Sequence, residues 1–217
     1  MAIKPILFNT EMVRAILDGR KSCTRRICKD ANEYTVPDME FYNADRRTYA
    51  VHNFADKEHT EQLSIAERTC PICPGDILYV RETWEHFECC CCEGDEHGNC
   101  YREPQQSGLN KSCGCYMYRA TDEIYGDARW HPPIHMPKEA ARIWFKVMNV
   151  RVERLQDMTD DDAEAEGCFD YTSTALGFPD VWDSTIKKSD IDRYGWDANP
   201  WVWVIEFDRC EKPEIES

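Results

Sequence analysis

The strongest chemical signal in this sequence is a local reversal of charge. Between Arg14 and Lys29 stand six basic residues (Arg14, Arg20, Lys21, Arg25, Arg26 and Lys29), opposed only by Asp18. The chain as a whole has 217 residues, with 26 Lys and Arg against 41 Asp and Glu and a formal charge of −15. Arg20, Arg25 and Arg26 are of the type that holds phosphates, and Trp84 or Tyr79 could stack on an unpaired base. Arg81 and Glu82 alternate on their strand, so only one of them can face a ligand unless the strand bulges. The acidic remainder repels polyanions elsewhere. That favours a short or small ligand held locally and excludes general wrapping of duplex DNA.

Cysteines give the second signal. Seven of the thirteen fall between Cys89 and Cys115, Cys70 and Cys73 form a pair, and Cys23, Cys28, Cys168 and Cys210 are scattered. No apolar run is long enough for a secretion signal or a membrane span, so the expectation is a soluble, intracellular, cytoplasmic chain with no membrane partner. In a reducing compartment, thiols or metal binding are expected ahead of disulfides. The scattered four read as small buried hydrophobes. Cys70-x2-Cys73 and Cys89-x2-Cys92 have zinc-type spacing, but an extended 77–84 carries the chain about 26 Å and 85–88 can return at most about 14 Å. A local structural zinc site is therefore expected, drawn from Cys89 or Cys90, Cys92, Cys100, Cys113 and Cys115. No organic cofactor is indicated.

The elements that must position these groups follow from local patterns. Ile6 to Phe8 reads as a strand, Asn9 and Thr10 as caps for a helix carrying Met12, Val13, Ile16 and Leu17 on one face, and Gly19 as its stop. Residues 27–69 are polar and aperiodic and read as a surface insertion. Pro74-Gly75-Asp76 is a turn launching a strand over Ile77 to Trp84. Tyr116 to Ala120 reads as another strand, beyond a second insertion at about 85–115. Ile143 to Leu155 suits a long, bent strand. Thr159 caps an acidic helix from Asp160 to Glu166, stopped by Gly167, and Trp201 to Phe207 closes the chain as a strand. The hydrophobic fraction of 42% and aromatic fraction of 12% exclude disorder. The fold expected is a single α+β domain over 1–217: a small, mostly antiparallel β-barrel with short flanking helices and two irregular insertions.

Together these motifs resemble a known family. Phe8-Asn9-Thr10, the run from Ile16-Leu17-Asp18-Gly19-Arg20-Lys21 to Arg26, and Pro74-Gly75-Asp76 leading to Val80-Arg81-Glu82-Thr83-Trp84 resemble ASCH-domain proteins, a branch of the PUA-like superfamily. Tyr118-Arg119-Ala120, Ile134-His135-Met136-Pro137 and Trp201 to Phe207 fit the same pattern. The variant with the His-Met-Pro run resembles a group found in bacteriophages and prophages. The resemblance implies a PUA-like barrel with a cleft beside the first helix and a role in binding RNA or nucleotides. It adds His135 to the ligand-binding residues read from their chemistry, Arg20, Arg25, Arg26, Arg81 and Trp84.

Some compact members of that family are hydrolases of N4-acetylcytidine, and ribonuclease activity is reported for another. For the hydrolase type the resemblance implies a Lys, a Thr three residues on, and a Glu from a later helix: Lys21, Thr24 and Glu166. Crowded cations would lower the pKa of Lys21, and the helix C-terminus would raise that of Glu166, suiting both to proton transfer. In an extended segment residues i and i+3 point to opposite faces, so Lys21 and Thr24 meet only across a turn or bulge at Ser22-Cys23. Three readings stay open: an RNA- or nucleotide-binding module in a basic cleft, an amidohydrolase or ribonuclease in the same cleft, and an acidic protein-interaction module.

Overall fold

A computed structural model describes residues 1–29, 31–33, 37–43, 47–55, 58, 61–88, 114–124, 129–168 and 174–213. The fold is mixed α+β, with one mostly antiparallel five-stranded sheet and a few short helices. Two further small sheets, of three strands and two, accompany it. Contacts divide the chain into two compact units: Met1–Gly19, Asp76–Lys146 and Asp208–Ser217 form the first, Arg20–Gly75 and Val147–Phe207 the second. No helix among the described residues is long and apolar enough to cross a membrane.

In the first unit, β1 (Ile3–Leu7) pairs in parallel with β6 (Ile77–Arg81), from Ile3 opposite Ile77 to Leu7 opposite Arg81. β6 pairs antiparallel with the start of β9 (Trp144–Arg154), Leu78 opposite Phe145. Between β1 and the chain's next turn lies α1 (Thr10–Leu17), whose first turn is capped by the Asn9 side chain accepting from the Met12 amide at 2.9 Å. Val13, Ala15 and Ile16 are buried, and Gly19 ends the helix at φ +74°. A Val or Ile so placed contributes about 1.5–3 kcal/mol. Asp76, fully buried, accepts from the Ala2 amide and from Lys4 Nζ, both at 2.9 Å, and so fixes β1 beside β6.

The strand expected over 77–84 is two strands. Glu82 turns inward and the Thr83 carbonyl accepts from the Arg119 amide, so β6 ends at Arg81 and β7 (Trp84–Glu88) begins afresh against β8 (Gly114–Tyr118). Residues 85–88 of β7 and 114–115 of β8 lie inside the stretch expected to be irregular, whereas Tyr116 to Tyr118 of β8 fall in the strand expected over Tyr116 to Ala120. Tyr79, Tyr116, Tyr118, Met136 and Trp144 are among the residues of this unit's core.

The second unit holds β2 (Cys23–Ile27), antiparallel to β10 (Trp201–Cys210) with Thr24 opposite Ile205 and Cys23 opposite Glu206. Val202 to Ile205 and Phe207 are all buried, so β10 is covered on both faces rather than one. The polar stretch expected to be an insertion folds into a three-stranded antiparallel sheet, β3 (Pro37–Asn43), β4 (Thr48–Phe54) and β5 (Gln62–Thr69). Tyr49 on β4 meets the Trp203 ring edge-on at 4.8 Å, which seats that sheet on β10. α2 (Asp160–Ala165) starts on a Thr159–Asp162 capping box and stops at Gly167, φ +90°. Two helices that the sequence patterns did not indicate follow: α3 (Thr174–Thr185) and α4 (Ile191–Tyr194). Phe178 and Trp182 of α3 pack with Leu155, Cys168, Val202 and Val204.

Candidate functional site

The second unit brings Lys21 and Glu166 together across 145 positions of sequence. Lys21 forms a β-bridge with Glu166, and the next amide, Ser22, donates to the Ala165 carbonyl at 2.9 Å. These bonds seat the end of α2 against the entry to β2. Lys21 Nζ then donates to the Glu166 carbonyl at 3.0 Å and contacts the Glu166 carboxylate. Both side chains are buried, as is Thr24.

Arg25 is the centre of a wider cluster. The residue is 2% exposed, and its guanidinium reaches Glu153 at 2.7 Å, Asp162 at 3.3 Å and Glu166 Oε1 at 3.5 Å. Arg151 meets Glu153 and Asp162, each at 3.0 Å, and Glu206. Three cations, Lys21, Arg25 and Arg151, therefore face four carboxylates. Two residues of the basic run, Lys21 and Arg25, are thus paired here with acids from β9 and from α2 and its C-terminal end. Burial weakens the Arg25 charge, but Glu166 and Glu153 outweigh it and its pKa is raised. Burial likewise opposes ionisation of Asp162, yet the Thr159 amide and hydroxyl and then Arg25 hold its carboxyl below the ordinary value. The Cys23 thiol is pushed up to about 12, by burial first and Glu166 second, so it is no nucleophile at neutral pH.

One atom in this cluster is left over. Glu166 Oε1 is buried and accepts no hydrogen bond, the nearby Arg25 Nη1 at 3.5 Å being an ion-pair contact only.

Thr24 stands apart from the cluster. Cys23 Sγ lies 3.9 Å from Arg25 Nη1, so Cys23 and Arg25 share one face of β2, and strand alternation turns Thr24 to the other. Ser22 donates to Ala165 and accepts from the Phe207 amide at 3.0 Å, so the chain is laced straight through the position where a turn would have to bring Lys21 and Thr24 together. Arg20 donates to the Gly167 carbonyl at 3.1 Å and Arg26 to the Arg25 carbonyl at 3.0 Å; both are half-buried. Burial lowers the Arg26 pKa, with Glu166 opposing.

The other expected binding residues belong to the first unit. Arg81 donates to the Ile134 carbonyl at 3.1 Å, and His135 is exposed in the turn Pro133–His135. Trp84 is half-buried, its ring packed against Tyr116 at 5.6 Å and His131 at 5.2 Å. Of the expected zinc ligands, Cys89, Cys92, Cys100 and Cys113 lie outside the described residues, as does Cys90. Cys115 sits in β8 opposite Phe87, with its side chain not described. Cys70 and Cys73 are buried, Cys70 Sγ donating to the Ile72 carbonyl at 2.8 Å and Cys73 Sγ to the Cys70 carbonyl at 3.4 Å.

Glu153, Asp162, Arg151 and Glu206 escaped sequence reasoning. Their only signal was spacing: Arg151 and Glu153 are two apart and share a strand face. No protein-family model matches the chain, and no curated protein or solved structure matches it.

Proposed function

We propose that this chain binds a nucleoside or nucleotide, with the Glu166 carboxylate accepting a hydrogen bond from the ligand. The observation that carries this reading is the buried, unbonded Glu166 Oε1 beside the Lys21–Glu166 contact. An ionised oxygen left without a donor costs about 1–3 kcal/mol or more, and a ligand N–H recovers it. The exocyclic amino group of a nucleobase, or the N–H of its acylated form, is such a donor. Burial of Lys21, Thr24 and Glu166 favours a small ligand over a polymer. Arg25 is engaged by three carboxylates, and Arg20 and Arg26, on either side of it in sequence, are the residues proposed to hold a phosphate. The resemblance to ASCH-domain proteins, and the PUA-like barrel it implies, belong to the same proposal, as does a phage setting.

The test is calorimetric titration with cytidine, cytidine monophosphate and N4-acetylcytidine. Glu166→Gln should weaken binding at least tenfold, because its amide cannot reproduce a charged acceptor on both sides.

A second reading, hydrolysis of the acylated base, is favoured by the Lys21–Glu166 contact, which supplies a proton-sharing pair. In that chemistry a nucleophilic oxygen attacks the amide carbonyl and yields its proton to the pair, which returns it to the leaving amine. Because Thr24 faces away from the pair, the attacking oxygen is expected to be water. Release of cytidine from N4-acetylcytidine should then survive Thr24→Ala within threefold and fall more than tenfold in Lys21→Met and Glu166→Gln. Loss of turnover in Thr24→Ala would restore the threonine as nucleophile.

A further inference from the structure

Five buried side-chain nitrogen or oxygen atoms have no hydrogen-bond partner among the described residues, and three of them fall within six residues of the first unit: Arg81 Nε, Trp84 Nε1 and His86 Nε2. Each orphaned group costs about 1–3 kcal/mol, so three in one short segment amount to a stored deficit that a ligand can relieve. Two of the three, on Arg81 and Trp84, can only donate, and the third donates in one tautomer.

The segment's geometry keeps the donors fixed. Trp84 and His86 are two apart on β7, opposite Tyr118 and Tyr116 in register, and therefore share a face of the β7–β8 ribbon. Both rings rest on Tyr116, at centroid distances of 5.6 and 5.0 Å. Trp84 is also bridged through its backbone to His131, whose ring lies 5.2 Å from it. The Trp84 ring already has aromatic neighbours on two sides, so it is the indole N–H that lacks a partner, not the ring. Stacking on a base, the role its residue type first suggests, is thus the lesser use of this side chain.

Charge decides what would fill the site. Arg81 has no carboxylate partner among the described residues; its Nη atoms bond the Ile134 carbonyl at 3.1 Å and the Tyr79 hydroxyl at 3.4 Å. Lys138 approaches the same Tyr79 ring, its Nζ 5.9 Å from the centroid, adding a second positive charge on that side. Glu85, between Trp84 and His86, is already engaged: its carboxylate accepts from the His86 amide at 2.8 Å and meets His131 at 3.4 Å. Unbonded N–H donors, together with a guanidinium that has no carboxylate partner among the described residues, suit an oxyanion, since charge-assisted hydrogen bonds are about twice as strong as neutral ones.

We propose that Arg81, Trp84 and His86 form an anion site in the first unit that takes the phosphate or carboxylate group of a small ligand. The inference is independent of the nucleoside reading, which rests on Glu166. The test uses the full chain with 15N-labelled tryptophan. The Trp84 indole signal is identified as the one absent from Trp84→Phe, a variant that keeps the ring packing and removes only the N–H. Inorganic phosphate and acetate, titrated separately against chloride at matched ionic strength, should move that signal saturably, with chloride leaving it in place. Saturation by phosphate alone assigns a phosphate ligand, and by acetate alone a carboxylate. Trp84→Phe, at an unchanged urea midpoint, and Arg81→Met should each weaken the anion's affinity at least tenfold by calorimetry. A Trp84 signal that neither anion moves, or an affinity unchanged in Trp84→Phe, overturns the proposal.

Discussion

Glu82 in the first unit and Glu166 in the second are both buried carboxylates beside a guanidinium, yet their oxygens are used differently. Glu82 is gripped from the side by Arg142, with Nε on Oε1 and Nη2 on Oε2, each at 2.9 Å. Arg142 is itself completed by the Thr121 hydroxyl at 2.9 Å and by the Tyr118 ring, 4.0 Å beneath its guanidinium. That pair is closed. Glu166 shares Arg25 with Glu153 and Asp162 and keeps one oxygen unbonded. A buried pair that satisfies itself serves the fold, whereas one left a donor short is where a ligand gains most.

The largest effect expected from this contrast is on stability in the first unit. Arg142→Ala strands the Glu82 carboxylate without a partner and should cost about 3–5 kcal/mol in urea unfolding. Glu166→Gln should cost less, about 1–2 kcal/mol, because it leaves three cations facing three carboxylates instead of four. Equal losses would mean that the two pairs do the same structural job, and the contrast would be broken.

Smaller, but more diagnostic, is the opposite pH response of the two units. Asp162 has a depressed folded pKa, so its contribution is complete above the ordinary value of 3.8 and is lost as pH falls through the depressed one. The stability gap between wild type and Asp162→Asn should therefore close in acid. Glu82 is shifted the other way: burial raises its pKa, against the pull of Arg142. Its contribution is complete below the ordinary value of 4.5 and is lost as pH rises through the raised one. Wild type should thus lose ground against Glu82→Gln as pH rises. Gaps that move in the same direction in both variants would contradict these assignments.

Features set by chemistry within a few residues were legible in the sequence. The Asn9 cap and Gly19 stop of α1, the Thr159 cap and Gly167 stop of α2, and the Gly75 turn at φ +83° all stand where their residue types require them. Long-range pairing was not legible. The acids from Asp157 to Asp170 looked like a solvated face, but Asp162 and Glu166 turn inward because Arg25 and Lys21 lie across from them. The three-stranded sheet of β3, β4 and β5 was hidden because polar residues interrupt its apolar alternation. Leu63 and Ile65, with Tyr49 and Val51, were the period-2 traces that remained. In α3, Pro179 and Gly177 masked a helix whose signal was the pair Phe178 and Trp182, one turn apart. Lys21 and Glu166 came from resemblance alone. Alternation along β2, which separates Thr24 from them, depended on whether Ser22 turned, and the backbone bonds that keep it straight come from distant Ala165 and Phe207.

The central claim is that the spare oxygen of Glu166 receives a ligand donor. Calorimetric titration of cytidine into wild type and Glu166→Gln tests it most directly. Saturable binding to wild type, weakened at least tenfold in Glu166→Gln, is the result predicted; the same affinity in both proteins, or no saturable binding of cytidine, its monophosphate or N4-acetylcytidine to wild type, would contradict it.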